Sequence, residues 1–503
     1  MKATVIANKN FTISKIDDRV YGAFLEHLGR AIYEGIYEPD HPSADKDGMR
    51  GDVAELVKKL NVPVVRYPGG NFVSAYNWED GIGPREERPT RLDLAWHTSE
   101  SNAVGVHEFA DWCATVGTEM MLAVNLGSRG VDDARNFLEY VNHPGGSYWS
   151  DLRIKNGRKE PWNVKMWCLG NEMDGPWQVG HKDADEYGKL AANTARAMRM
   201  FDKSLELIVC GSSHMDMPSF PDWERIVLEH TYDHVDHISL HMYFANRDDN
   251  TPNYLGLSHK LERYIDTVAA TIKQVKAKKK SKKDITISFD EWNVWYHSNK
   301  KDREILDGGN GWPHAPGLLE DIYNFEDVLM VGLILNTFIR RSDVVKIACI
   351  AQLVNVIAPI MTEKGGPAWA QTIYYPYYFA SVFGRGTALQ LVASSPGYET
   401  THAAETPFVD VSGVHNEDEG TLTFFLVNRH TTDSIDTEIS LQGFGDASII
   451  EHQVMTHPDL KAVNTAKAQE EVAPRKGDGA RIGDGKLTVA LPPYSYQMVR
   501  VKI

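Results

Sequence analysis

Along the first three quarters of this chain, apolar residues come in short runs, and each run ends on a polar side chain. Val62–Tyr67 (Val-Pro-Val-Val-Arg-Tyr) and Ile285–Phe289 (Ile-Thr-Ile-Ser-Phe) are representative: β-branched or aromatic, and no longer than one strand. Between such runs the period changes to the helical one. Val53, Leu56, Val57 and Leu60 form a single stripe, and Asp132–Val141 and Asp183–Met200 also read as helices. The predicted strands are Tyr21–Leu25, Val62–Tyr67, Met120–Asn125, Val164–Leu169, Leu207–Cys210, His237–His241, Ile285–Phe289 and Lys346–Gln352. Eight strands alternating with helices close a parallel barrel. A last helix near Tyr377–Phe383 stops at Gly384.

Beyond Gly386 the texture changes. Thr421–Val427, Ile435–Leu441 and Leu487–Leu491 are strand-like and separated by Gly, Asp, Asn and Pro clusters, which predicts a sandwich of roughly 110 residues. Ala3–Ile6 and Phe11–Ile13 are strand-like too and are expected to join it. The expected class is therefore α/β: a (β/α)8 TIM barrel over 16–384, with a jelly-roll-like, all-β sandwich made of 1–15 and 385–503.

The net charge of −16 argues against a nucleic-acid partner and favours a neutral ligand. Twelve Trp and twenty-one Tyr suit sugar faces, although any large core uses such residues. No apolar run is long enough for a bilayer, and Met1–Asn10 lacks a signal core, so the expected location is cytoplasmic with no membrane partner. Cys113, Cys168, Cys210 and Cys349 have no paired spacing and read as buried free thiols. The lysine run Lys276–Lys283 reads as a solvated helix end rather than an anion dock. Gly308–Gly317 follows the seventh strand and reads either as a plain surface loop or as a lid with Trp312 on the ligand.

The candidate chemistry lies at strand ends. Trp167-Cys-Leu-Gly-Asn-Glu172 ends the fourth strand in Asn171 and Glu172, and Ile287-Ser-Phe-Asp-Glu-Trp292 is read as stopping the seventh at Asp290 and Glu291. Active sites of parallel barrels are built at this end. Two glutamates facing each other there are the minimum equipment for glycoside hydrolysis, one as nucleophile and one as proton donor and later base. Glu26, Arg66, Asn71, Asn125, His241, Tyr243 and Gln352 mark other strand ends, a ring suited to sugar hydroxyls, with Arg66 placed to keep a carboxylate ionised.

Gly170-Asn-Glu-Met-Asp-Gly-Pro-Trp177, Phe289-Asp-Glu-Trp-Asn-Val-Trp-Tyr296, Arg66-Tyr-Pro-Gly-Gly-Asn71, Phe24-Leu-Glu-His-Leu-Gly29 and Gln352-Leu-Val-Asn-Val356 closely resemble the α-L-arabinofuranosidases of glycoside hydrolase family 51. The resemblance runs nearly end to end, with no departure at the catalytic positions. It implies an exo-acting, retaining enzyme without cofactor or metal, with Glu172 as acid/base and Glu291 as nucleophile. Glu26, Asn71, Asn171, Tyr243 and Gln352 would bind the arabinofuranosyl ring, Asn171 at the 2-hydroxyl. Tyr243 would also bond the nucleophile, and Arg66 would lie beneath it. Trp96, Trp177 and Trp295 would wall the pocket or its aglycone side. The family also implies a homo-oligomer, often a hexamer, acting on arabinan or arabinoxylan fragments inside the cell.

Three other readings stay open on the residues alone. The two glutamates equally fit a β-xylosidase, β-galactosidase or endo-glucanase. His234, His237 and His241 have spacings that could ligate a metal on a helix, although Ile238–Leu240 reads as strand. A barrel that binds sugar without turnover is the third, but such proteins usually lose a catalytic carboxylate.

Overall fold

The structure, a computed structural model, describes residues 1–307 and 311–503. Eight parallel strands close a barrel in chain order: Gly22–Phe24 (β1), Val64–Tyr67 (β2), Glu119–Val124 (β3), Met166–Leu169 (β4), Glu206–Cys210 (β5), His237–Phe244 (β6), Thr286–Val294 (β7) and Val345–Ala351 (β8). Strands in such a barrel are covered on both faces, so they read as continuous apolar runs rather than alternating ones. Val64–Tyr67 and Met166–Leu169 are buried throughout. Phe24, Val64, Met121, Met166, Cys168, Ile208, Ile347 and Cys349 fill the interior. The barrel is thus a packed core that opens into a site only at one end.

Two strand ends differ from the sequence-based expectation, and the difference matters for the site. β7 does not stop at Asp290-Glu291 but runs on through Trp292, Asn293 and Val294, all buried. β6 likewise continues past His241 to Phe244. The register shifts between Ser239 and His241 on β6, and between Phe289 and Trp292 on β7. In a regular strand Asp290 and Glu291 would face opposite sides; the irregularity lets both lean towards Arg66.

The C-terminal strands form two packed sheets. Lys2–Asn8 pairs in parallel with Ile435–Gln442 in one, and Thr12–Lys15 lies at the edge of the other. Lys2–Asn8, Ile435–Gln442 and Lys486–Leu491 alternate buried and less buried positions, as one-faced strands should. Thr421–Asn428 is buried along its whole length. Leu422, Phe424 and Leu426 enter the core between the sheets, whereas Phe425 and Val427 pack with the barrel.

One helix joins the two bodies. Phe325–Arg340 (α1) is mostly apolar and every residue but Arg340 is buried. Asn336 donates to Asp410 and to the carbonyl of Phe425, and Arg340 pairs with Asp410 at 3.0 Å. At Gly332 the sandwich comes close: a Cβ there would lie 2.7 Å from the Tyr496 ring.

The lysine run ends the helix Ser258–Lys279, and Lys278 and Lys279 pair with Glu229 and Asp233. That fits the solvated helix end. Cys113, Cys168, Cys210 and Cys349 are free and buried. Among the described residues, no helix is long and apolar enough to cross a membrane.

Overfilling the contact between helix and sandwich should be costly. Gly332→Leu is expected to destabilise the protein by about 1–3 kcal/mol or more, read as a lower midpoint in thermal or urea unfolding. An unchanged midpoint would mean that the two bodies do not press on each other there.

Candidate active site

The turn after β4 delivers Asn171 and Glu172. Gly170 takes φ +89° and Glu172 itself sits at φ +44°, a region that costs a glutamate energy. The Glu172 carbonyl accepts from Gly175 N at 2.8 Å, which fixes the turn. Its carboxylate, 11% exposed, accepts from His241 Nδ1 at 2.8 Å on one oxygen and from Trp177 Nε1 at 2.8 Å on the other.

Glu291 lies opposite, on β7. Arg66 donates from one guanidinium nitrogen to Glu291 Oε1 at 2.7 Å, and Tyr243 donates its hydroxyl to Oε2 at 2.8 Å. The other terminal nitrogen of Arg66 donates to Asn171 Oδ1 at 2.6 Å. Arg66 is fully buried, with its guanidinium over the Phe24 ring at 4.7 Å and Asp290 3.8 Å from Nε. One cation therefore ties β2, β4 and β7 together at the barrel mouth.

The remaining expected residues converge on the same place. Glu26 Oε1 accepts from Phe72 N at 2.8 Å and Trp96 Nε1 at 3.0 Å. A Cβ at Gly70 would meet Glu26 Oε2 at 2.2 Å, so only glycine lets the turn pass. Asn71 Oδ1 accepts from Asn171 Nδ2 at 3.3 Å and from Gln178 Nε2. Gln352 Oε1 accepts from the backbone N of Glu26 at 2.8 Å, linking β8 to β1. Trp295 packs edge-on against Tyr243 at 5.4 Å, and Trp177 is 45% exposed at the rim.

Two expectations fare differently. Asn125 is spent on its own loop, accepting from Gly127 N and Ser128 N and donating to the Tyr76 carbonyl. A side chain so engaged has no free group for a ligand. In the Gly308–Gly317 loop, Gly308–Asn310 lie outside the described residues. Trp312 stacks on His97 at 3.9 Å, and Ser99 N donates to the Pro313 carbonyl. This segment is thereby joined to the Arg91–Asp93/Thr98–Glu100 hairpin that flanks Trp96.

The electrostatics follow from burial and two cations. Burial pushes Glu26 up to about 8, and the Glu291 charge adds to it, so at neutral pH Glu26 is a neutral acid able to donate. Burial pulls the His241 imidazole down, but Glu291, Asp290 and Glu172 outweigh it and raise it to about 10. Glu172 and Glu291 titrate as a pair. Burial and its neighbour's charge push Glu291 up against the pull of His241 and Arg66. For Glu172 burial acts the same way, but the hydrogen bond and charge of His241 outweigh it and hold the group low.

The histidine metal site does not form. His237, the first residue of β6, meets Thr286 Oγ1 with its Nδ1 at 2.7 Å, four residues before His241, whose ring lies among carboxylates. Glu172, His241 and Glu291 do bring ligand-type atoms within 4.8 Å of one another. Both His241 nitrogens lie at hydrogen-bond distance from carboxylate oxygens, Nδ1 from Glu172 and Nε2 from Asp290. The role of His241 as a partner of both glutamates, and that of Asp290 behind it, lies beyond what strand-end spacing can reveal.

Comparison with known proteins gives the family. The description "Alpha-L-arabinofuranosidase 1 domain" matches residues 56–263, and "Alpha-L-arabinofuranosidase C-terminal domain" matches residues 290–495. The chain is 56% identical over 501 residues to an intracellular exo-α-(1→5)-L-arabinofuranosidase of Bacillus subtilis, covering 100% of this chain and 99% of the other. An exo-α-(1→6)-L-arabinofuranosidase of Bifidobacterium longum is 47% identical over 511 residues, with 100% and 97% covered. The solved structure of AbfB, a family 51 α-L-arabinofuranosidase from Bifidobacterium longum, superposes with a TM-score of 0.95 at 43% identity, covering 99% of each chain. This chain belongs to the α-L-arabinofuranosidases of glycoside hydrolase family 51.

Proposed function

We propose that the protein is an exo-acting, retaining α-L-arabinofuranosidase, with Glu291 as nucleophile and Glu172 as acid/base. The observation that carries this reading is the spacing of the pair: carboxylate oxygens of Glu172 and Glu291 lie within 4.8 Å of each other. Retaining glycosidases hold their carboxyl groups about 5–5.5 Å apart, whereas inverting ones need room for a water between them.

Glu291 attacks the anomeric carbon as the glycosidic oxygen takes the proton of Glu172, leaving a covalent glycosyl-enzyme. Glu172, now a carboxylate, removes a proton from water, which attacks the same carbon and releases the sugar with its configuration retained. This requires the proton on Glu172 when substrate is bound. Arg66 and Tyr243, each bonded to a different oxygen of Glu291, favour its ionised form once the sugar displaces water from the pocket. Asn171, held by Arg66 and Asn71, is suited to the sugar 2-hydroxyl. Glu26, Asn71 and Gln352 bind other hydroxyls, and Trp96, Trp177 and Trp295 form the pocket wall and leaving-group side.

The substrates we propose are terminal arabinofuranosyl residues of arabinan- or arabinoxylan-derived oligosaccharides, in the cytoplasm. The intracellular names of curated relatives support the location. Because relatives carry both 1→5 and 1→6 names, linkage preference is a property of the leaving-group side. We further propose a division at 16–384 for the barrel, with 1–15 and 385–503 as the sandwich, and assembly as a homo-oligomer, often a hexamer in this family. Mass photometry should then give a multiple of the chain mass; a monomer at working concentration would refute the assembly.

The decisive assay is hydrolysis of p-nitrophenyl α-L-arabinofuranoside with proton NMR of the first anomer released. The α anomer is expected; the β anomer would overturn the retaining reading. Glu291→Ala should lose at least about 10⁴-fold in kcat. Glu172→Ala should lose about 10²–10⁴-fold on poor leaving groups and much less on nitrophenolate. Azide should partly rescue that variant, yielding the α-configured glycosyl azide. Equal loss on both kinds of leaving group would contradict the acid/base assignment.

Glu26→Gln should separate binding from catalysis. Because Glu26 titrates at about 8, the wild-type KM should rise as the pH climbs through that value and Glu26 changes from donor to anion. In Glu26→Gln this alkaline rise should vanish, since an amide does not titrate. A rise of KM that persists in the variant would assign it to another group.

A further inference from the structure

Asp290 and His241 are buried ionisable groups beside the catalytic pair, and the reaction steps give neither of them a task. Their side chains are 1% and 2% exposed. His241 Nδ1 lies 2.8 Å from Glu172 Oε1 and 3.5 Å from Glu291 Oε2. On the other side of the ring, Nε2 lies 2.9 Å from Asp290 Oδ1 and 3.3 Å from Ser239 Oγ. Ser239 donates its hydroxyl to Asp290 Oδ1 at 2.6 Å. Asp290 Oδ2 faces Arg66 Nε at 3.8 Å and the Cys168 thiol at 3.8 Å.

A neutral imidazole donates from one nitrogen and presents a lone pair at the other. With Glu172 and Asp290 both ionised, a lone pair on either nitrogen would face a carboxylate oxygen at 2.8 or 2.9 Å, so in that state the ring carries two N–H groups. The charges of the whole cluster agree. Three carboxyls (Glu172, Asp290 and Glu291) surround two cations (Arg66 and His241), and one further proton makes the buried group neutral. That proton is the one the acid/base cycle moves. Tyr243 faces Glu291 from β6 itself, and near Glu172 burial and the Glu172 charge push Asp174 up to about 7.

We propose that Asp290 holds His241 as an imidazolium, and that this cation sets the proton affinity of Glu172. Asp290 is a positioning residue: it acts through His241 and does not meet the sugar. The proposal rests on the reading of Glu172 as acid/base. It gives the β7 irregularity a purpose, because only there can consecutive residues serve as nucleophile and as the anchor of the acid/base partner. His241 keeps both its protons throughout; the proton transferred to the leaving oxygen comes from Glu172 and is replaced from water. After the first step the imidazolium stabilises the Glu172 carboxylate while it waits for that water. The raised titration of His241, to about 10, accords with a ring that stays charged across the working range.

The test combines kinetics with a direct view of the ring. Asp290→Asn keeps the shape but removes the charge. The amide oxygen that replaces the carboxylate still accepts from Nε2–H, so a neutral ring turns its Nδ1 lone pair on Glu172, which then keeps its proton to higher pH. The quantity to follow is kcat/KM on methyl α-L-arabinofuranoside divided by that on the nitrophenyl glycoside, against pH. Glu26 and Glu291 act on both substrates and cancel, leaving the limb that belongs to Glu172. In Asp290→Asn this limb should move up by about one pH unit.

In parallel, ¹⁵N NMR of histidine-labelled wild type, with His241 assigned by its loss in His241→Asn, should show both ring nitrogens protonated at about pH 8, where an ordinary histidine is neutral. A neutral His241 at that pH overturns the proposal, as does an unmoved limb in folded Asp290→Asn. If that variant does not fold, the wild-type NMR decides. A ratio flat with pH in wild type would instead sink the acid/base reading of Glu172, and the NMR would still report the ring's charge.

Discussion

The guanidinium of Arg66 is the interaction on which the site depends. It is buried at the barrel mouth, and a cation there is tolerated only if its donors are matched. Glu291 and Asn171 accept from its two terminal nitrogens, and the charge of Asp290 faces Nε at 3.8 Å, where no hydrogen bond forms. Removing one partner of such a buried pair typically costs about 3–5 kcal/mol. The same contacts that neutralise Arg66 therefore fix the distance between β4 and β7, and with it the spacing of the two glutamates. Stability and catalysis draw on one set of hydrogen bonds.

Around this cation the backbone is bent where chemistry needs it. Glu172 is held at positive φ by the tight turn that starts at Gly170, and β6 and β7 shift register together beside His241 and Glu291. The barrel interior is closely packed, so its rigidity can hold these local departures. The sandwich contributes from outside. It packs on α1, which lies against β7, through contacts at Gly332 and Asn336.

Much of this is legible in the sequence, for identifiable reasons. Buried parallel strands are apolar runs, and all eight stand out because each alternates with a segment of helical period and ends on polar side chains. The glutamates, Arg66, Asn171 and Tyr243 stand out because strand ends concentrate function and their motifs match a family. The end of β7 is misleading because Asp290-Glu291 is polar, and a polar pair looks like a stop. In fact Trp292 and Val294 carry the strand on, and the polar pair is accommodated by a register shift that no periodicity encodes. Asn125 misleads for the converse reason: a strand-end asparagine can cap its own loop as easily as bind a ligand. The charge of His241 lies beyond sequence reading altogether, because it depends on three carboxylates brought together from a strand and a turn.

The central claim is that the carboxylate fixed by Arg66 and Tyr243 is the one that bonds to sugar. The most direct measurement is to trap the covalent intermediate with a slow-turnover 2-fluoro arabinofuranosyl donor carrying an activated leaving group, then digest the protein and map the mass increment. The account predicts one glycosyl group per chain, on Glu291 within the Phe289–Tyr296 segment. A label on Glu172, on Glu26 or on no residue of an enzyme that still turns over would contradict it.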